Sequence, residues 1–342
     1  MAEEKSPWQL RPGDLEAFVS SHLRQTDSFL AELRGALHNI VAYIQTQASF
    51  SISRYVVGGD LAGGTTALNE DAEFHLFLFL SDFRSIDDYQ RRLEGVLTET
   101  RDLLSSEGVL HVVMLIEPNC VSDADGMQVI QVRVMAGEEW LEGTIVPAVD
   151  LIGSSPKKSN KETMYRQFVL DEDKSPYQPT LSDLRLSLIQ SLPAPVKDTI
   201  LLVKHWRKYR LRLRSDKPET RFYELLVIHC WEIAGNPKTF DLTVALKCIL
   251  SCLSEWKNIS IMWEDSSSLA YQRKIAEAKQ REILARSHDN AGPIALDPID
   301  PRVEYCTDVK TLIWDEISRT ARETLMEPLF KGLSDDASWK TK

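Results

Sequence analysis

The chain has 342 residues, 43% hydrophobic, 27% charged and 8% aromatic, with 15 glycines and 15 prolines. That composition excludes disorder, collagen-like repeats and low complexity, and the length suits one large domain or two lobes. Forty basic against 51 acidic residues give a formal charge of −11, which excludes a surface that is cationic throughout but leaves room for a local basic face. No apolar run reaches the length of a membrane span: Phe74 to Leu80 is strand length and broken by His75, so no membrane partner is expected. Five scattered cysteines (Cys120, Cys230, Cys248, Cys252, Cys306) include no CxxC pair, and suggest neither a disulfide framework nor a zinc ribbon. Cys248 and Cys252, four apart in a helical pattern, read as packing. Met1 to Lys5 lacks the basic-then-apolar layout of a secretory signal. A reduced, cytoplasmic or nuclear setting is the expectation.

Apolar residues at helical spacing from Leu15 to Tyr43 predict two helices parted near Thr26, with Asp27 or Ser28 as the cap. The period then changes. Arg54–Val57 predicts a short strand, Gly58 to Thr66 a glycine-rich turn, and Glu73–Leu80 a strongly apolar strand. A helix is expected over Ser85–Ser105 and strands over Val109–Ile116, Met127–Val134 and Gly143–Val149. After a Ser-, Lys- and Asn-rich loop from Gly153 to Lys161 the pattern turns helical. The segments are Leu181–Ser191, Pro195–Leu213, Arg221–Ala234, Leu242–Glu255, Ser268–Arg286 and Thr311–Leu329, with a short strand within Trp256–Trp263. The fold class is therefore α/β (α+β), with a mixed-sheet half followed by a helical half and no internal repeat.

The most informative local feature is the Gly58-Gly59 pair between two strands. Glycines there free the backbone to approach a phosphate. Asp71, Glu73 and His75, spaced by two, share one face of the second strand, and Ala72, Phe74, Leu76, Leu78 and Leu80 take the other. Paired carboxylates on such a face can hold divalent metals against a triphosphate. A solvated rim on a half-buried hairpin accounts for the same pattern.

The stretch Gly58-Gly59 through Thr65-Thr66, with the acidic strand ending Phe79-Leu80-Ser81, resembles the nucleotidyltransferase signature of the 2′-5′ oligoadenylate synthetase family. Further stretches in the same order are similar to that family. They are Leu15-Glu16-Ala17-Phe18-Val19, Ile145-Val146-Pro147-Ala148, Leu202-Val203-Lys204-His205-Trp206, Glu224-Leu225-Leu226 with Trp231-Glu232, Leu296-Asp297-Pro298 with Asp300-Pro301, and Ser338-Trp339. The resemblance implies a two-lobed nucleotidyltransferase fold: a core lobe with N-terminal helices over residues 1–178 and a helical lobe over 179–342. It also implies ATP polymerised into 2′-5′-linked oligoadenylates on double-stranded RNA, through three carboxylates and two Mg²⁺ ions.

Several departures weaken the catalytic implication. Asp60 stands where the family has a serine after the glycine pair and faces the triphosphate with a like charge; the loop lysine falls on Gly63. Anchoring on Phe79-Leu80-Ser81 puts Glu73 and His75 at the two metal positions; anchoring on the Asp-Ala-acid wording puts Asp71 and Glu73 there. The third acid is replaced by Thr144, with Glu142 two positions earlier on the same face. Gly58, Gly59, Asp60 and Lys204 are the expected nucleotide contacts, and the family's donor-nucleotide Gln-Tyr pair falls on Thr220 and Arg221. Arg54 and Lys197 match RNA-binding positions, whereas a third falls on Leu192; Arg207, Lys208, Arg210, Arg212 and Arg214 form another basic cluster, read as a solvated helix end or a phosphate stripe. The expectation is a pseudoenzyme of innate antiviral defence that binds double-stranded RNA, a protein partner or both, without a cofactor. Two other readings stand: an active nucleotidyltransferase using Mg²⁺ and ATP through a rebuilt site of Asp71 and Glu73, with Glu142 as a candidate third acid, and a scaffold that binds neither RNA nor nucleotide.

Overall fold

The computed structural model describes residues 6–67, 73–83, 85–106, 112–117, 120–123, 126–153, 157–211, 217–263, 270–271, 281–282, 285, 292–333 and 339. They fall into two compact units: residues 25–66 with 70–190, and residues 1–24 with 67–69 and 191–342.

The first unit holds a mixed sheet. Its strands are β1 (Ile52–Gly58), β2 (Phe74–Leu80), β3 (Val113–Leu115), β4 (Val121–Ser122), β5 (Gln128–Ala136) and β6 (Glu139–Val149), in the spatial order β1-β2-β6-β5-β3 with β4 on β5. β2 runs parallel to β6 and antiparallel to β1. Both faces of β2 are covered: Phe74, Leu76, Leu78 and Leu80 join the main core, and Phe77 and Phe79 a second cluster with Val129, Val146 and Ala148. That double burial explains the near-continuous apolar sequence of β2. A two-residue turn joins β5 to β6, with Gly137 at φ +64°, a conformation a side chain disfavours.

Helix α2 (Asp27–Gln47) buries Leu33, Leu37, Ile40, Val41 and Ile44 on one stripe, and α4 (Ile86–Leu104) buries Tyr89, Val96, Leu97 and Leu104. Thr26, rather than Asp27 or Ser28, caps α2: its hydroxyl accepts from the Phe29 amide at 3.2 Å. The expected 153–161 loop ends early, because α5 (Lys158–Leu170) begins inside it and buries Met164, Tyr165 and Phe168. Its helical period was masked by the polar Lys158 to Thr163 opening. A single turn, α3 (Asp60–Gly63), follows β1, and α6 (Gln178–Ser191) closes the unit.

The second unit is helical. It comprises α1 (Leu15–Phe18), continued as a π turn over Val19–Leu23, then α7 (Ala194–Arg210), α8 (Thr220–Ile233), α9 (Leu242–Ser254) and α10 (Thr311–Leu325), with a two-stranded ladder of β7 (Ser260–Ile261) and β8 (Ile294–Ala295). The expected last helix stops at Leu325 and gives way to a 3-10 turn over Pro328–Phe330, where Pro328 cannot continue the ladder. Most of the expected Ser268–Arg286 helix, the start of the Val109 strand and Leu213 lie outside the described residues. No single helix among the described residues is long and apolar enough to cross a membrane.

The boundary differs from the expected 178/179. α6 belongs with the sheet, where its Asp183 pairs with Arg54 of β1 and Ile189 lies against Gly63. The first 24 residues belong with the helices. Arg24 pairs with Asp198, the Pro12 carbonyl accepts from the Thr243 hydroxyl at 3.0 Å, and Trp8 and Phe18 pack on His205. Such long-range contacts leave no local trace in sequence.

Burial between these rings, with Lys208 and His22 nearby, pulls the His205 pKa down to about 4. The folded state therefore disfavours the proton that the unfolded chain accepts near pH 6.5, and stability is lost as pH falls from about 6.5 toward 4. Denaturant midpoints at pH 7 and pH 4.5 check this. The loss in the native protein should exceed that in His205→Phe by on the order of 1–3 kcal/mol.

Candidate functional site

β1 delivers the glycine turn to the start of β2. Gly58 is in register with His75, and a Cβ on Gly58 would lie 2.7 Å from the Phe77 ring. Gly59 adopts φ +94°, and its Cβ would lie 3.1 Å from the Glu73 carbonyl oxygen. Only glycine serves at such a positive φ with backbone this close. Asp60, exposed, opens α3, which ends at Gly64 with φ +75°. The strand–turn–strand unit expected from sequence is thus present, with the turn against the backbone of Glu73.

Glu73 is exposed just before β2, and His75 is half-buried one pleat further on. Parallel pairing sets His75 opposite Thr144, and a hydrogen bond of 2.9 Å joins His75 Nδ1 to Thr144 Oγ1. The two strands are neighbours, as expected, and the two residues satisfy each other. Glu142 is held across the β5–β6 ladder by Arg133, whose Nε donates to Oε1 at 2.9 Å. Asp71 lies outside the described residues. Among the described residues no three His, Cys, Asp or Glu side chains are grouped to hold a metal ion. Among the described residues the donor set here, the Glu73 carboxylate with an imidazole and a hydroxyl bonded to each other, does not fit Mg²⁺, which takes oxygen ligands in octahedral order and binds protein through carboxylates.

Arg54, the expected RNA contact, is engaged within the sheet unit. Its Nε and Nη2 donate to Asp150 at 3.0 Å each, its Nη1 donates to Asp183 at 2.9 Å, and its guanidinium lies 3.8 Å from the Phe79 ring centroid. Burial opposes the charge, and the two carboxylates more than offset it, so the pKa stays above the ordinary arginine value. Asp150 and Asp183 were missed in the sequence because they lie 96 and 129 residues away.

In the helical unit Lys204 is only 2% exposed and bonds Glu224 at 2.6 Å. Arg221 Nη1 donates to the other Glu224 oxygen at 2.7 Å, and its Nε lies 3.7 Å from Asp297. Burial would raise the Glu224 pKa, but Lys204 and Arg221 hold it below the ordinary carboxylate value. Asp297 also organises its own turn, accepting from the Ile299 and Asp300 amides and the Tyr305 hydroxyl. Two expected nucleotide contacts, Lys204 and Arg221, are therefore members of one neutral buried cluster; Thr220 begins α8 beside it. Lys197 is half-buried on α7, with no ion-pair partner among the described residues, and burial lowers its pKa. Leu192 is 5% exposed and belongs to the core, so it is not a surface position that lost a cation. Of the remaining basic cluster, Arg207 donates to the Pro218 carbonyl and Arg210 pairs with Glu327 at 3.1 Å; Arg212 and Arg214 lie outside the described residues.

Two substitutions check these assignments in urea titrations. Arg54→Met leaves Asp150 and Asp183 without their shared cation and should cost about 2–4 kcal/mol. Thr144→Val removes one hydrogen bond to His75 and should cost about 1 kcal/mol.

A model of 2′-5′-oligoadenylate synthetase 1, domain 2, C-terminus, matches residues 156–342. The human 2′-5′-oligoadenylate synthase 2 is 22% identical over 94% of this chain, and the rat synthase 1A 23% over 95%. The chain spans 44% of the human protein's length and 93% of the rat protein's. Among solved structures, the Cid1 RNA terminal uridylyl transferase aligns with a TM-score of 0.59 at 13% identity, covering 96% of this chain and 95% of that one. The E. coli MS115-1 CdnC in its HORMA-deltaN complex aligns at 0.55 and 16%, covering 93% and 90%. These likenesses fix the fold as that of the nucleotidyltransferases, and the match across the C-terminal half makes the chain a member of the 2′-5′-oligoadenylate synthetase family.

Proposed function

We propose that this protein is a non-catalytic oligoadenylate-synthetase-like protein that binds double-stranded RNA in innate antiviral defence, inside the cell. The observation that carries the non-catalytic part is the 2.9 Å hydrogen bond between His75 and Thr144. Two-metal nucleotidyl transfer needs anionic oxygens at these positions to hold the ions against the triphosphate. An imidazole and a hydroxyl bonded to each other supply no anionic oxygen. Asp60, exposed beside the glycine turn, adds a negative charge where a triphosphate would come. The Lys204 ammonium is already neutralised by Glu224.

The RNA part rests on family membership and on Lys197. An ammonium partly withdrawn from water, with no ion-pair partner among the described residues, gains from an incoming phosphate both a partner and the charge that burial disfavours. Recognition of an A-form duplex through phosphates and 2′-hydroxyls is independent of sequence and weakens steeply with salt.

Fluorescence anisotropy with long duplexes of unrelated sequence, at rising salt, tests the reading. The native protein should bind all of them alike, and Lys197→Glu should weaken binding about tenfold while shortening the salt dependence by roughly one phosphate contact. Affinity unchanged in Lys197→Glu would remove this residue from the interface. Absence of binding at low salt would transfer the role to a protein partner.

A further inference from the structure

The last turns of α8 and α9 bring together two thiols that none of the functions above uses. Cys230 Sγ and Cys252 Sγ lie 3.9 Å apart, 22 residues apart in sequence, and both side chains are partly exposed. Cys248 sits one turn earlier on α9, near enough to interact electrostatically with both. The other two cysteines belong elsewhere: Cys120 to the sheet unit and Cys306, buried, to the turn after β8.

We propose that Cys230 and Cys252 form a redox modification site, closed to an intramolecular disulfide by hydrogen peroxide and reopened by small thiols. The sulfurs need to approach by about 2 Å to reach bonding distance, within the range of side-chain rotation when both belong to facing helices. Cys252 is the attacking thiol. The hydrogen bond from Cys230 holds its pKa below the ordinary thiol value, whereas that same bond together with burial pushes Cys230 well above it.

In the first step Cys252 loses its proton, and its sulfur attacks one peroxide oxygen. The O–O bond breaks, leaving a sulfenic acid and a hydroxide that takes the released proton as water. In the second step Cys230 gives up its proton and its sulfur attacks the Cys252 sulfur. The S–S bond forms, the S–O bond breaks, and the departing hydroxide leaves as a second water. Two thiols are oxidised by two electrons in all, and one peroxide is reduced to two waters. The bridge ties α8 to α9 and closes the chain between them, which restricts the unfolded state more than the folded one. Transient, regulatory bridges of this kind are the usual form of disulfide in reducing compartments.

The test uses the full chain, folded, treated with stoichiometric hydrogen peroxide and alkylated. Peptide mass mapping without reductant should find a Cys230–Cys252 cross-link in the native protein and in Cys248→Ser. Cys230→Ser should instead accumulate a sulfenic acid at Cys252, trapped by dimedone. The oxidised native protein should melt several degrees higher, and dithiothreitol should reverse both the cross-link and the shift. The proposal is overturned if the cross-link joins other cysteines, if it forms only in urea, or if the melting temperature does not rise on cross-linking.

Discussion

The parallel pairing of β2 with β6 is the constraint on which the sheet unit depends. β2 is buried on both faces, so its apolar residues cannot slip by one position without taking aromatic rings out of two clusters at once. The fixed register then places His75 opposite Thr144 and stations the glycine turn beside Glu73. It gathers an imidazole and a hydroxyl, which satisfy each other. Function follows the residues gathered at the site rather than the scaffold that gathers them.

A second theme runs through both units: cations that sequence alone assigns to ligands are neutralised inside the protein. Arg54 joins β1, the end of β6 and α6 through Asp150 and Asp183. Lys204 and Arg221 share Glu224. Guanidinium and ammonium groups withdrawn from water need such partners, since an unpaired charge in those places costs several kcal/mol. Lys197 is the contrast, partly withdrawn from water with no ion-pair partner among the described residues.

Much of the fold is legible in the sequence. The change of hydrophobic period marks the sheet unit, and the Gly58-Gly59 pair marks a turn of positive φ; the apolar run of β2 marks a strand, but the burial of both its faces is seen only in the packing. Local signals fail where partners are remote in sequence. Arg54 looks like a surface cation because Asp150 and Asp183 are far along the chain, and Leu192 looks like a lost arginine until its burial is known. The unit boundary fails for the same reason, since the attachments of residues 1–24 lie on α7 and α9. α5 is hidden by its polar opening. Glu142 reads in sequence as a candidate acid near Thr144, and only the ladder reveals Arg133 across from it.

Whether the β2–β6 site performs chemistry decides between a synthetase and a binding protein. Purified protein incubated with radiolabelled ATP and either Mg²⁺ or Mn²⁺, with and without long double-stranded RNA, measures this directly. The account predicts no oligoadenylate under any of these conditions. RNA-dependent oligoadenylate made by the native protein and abolished by Glu73→Gln would contradict it, and would mean that a carboxylate outside the His75–Thr144 pair completes an active metal site.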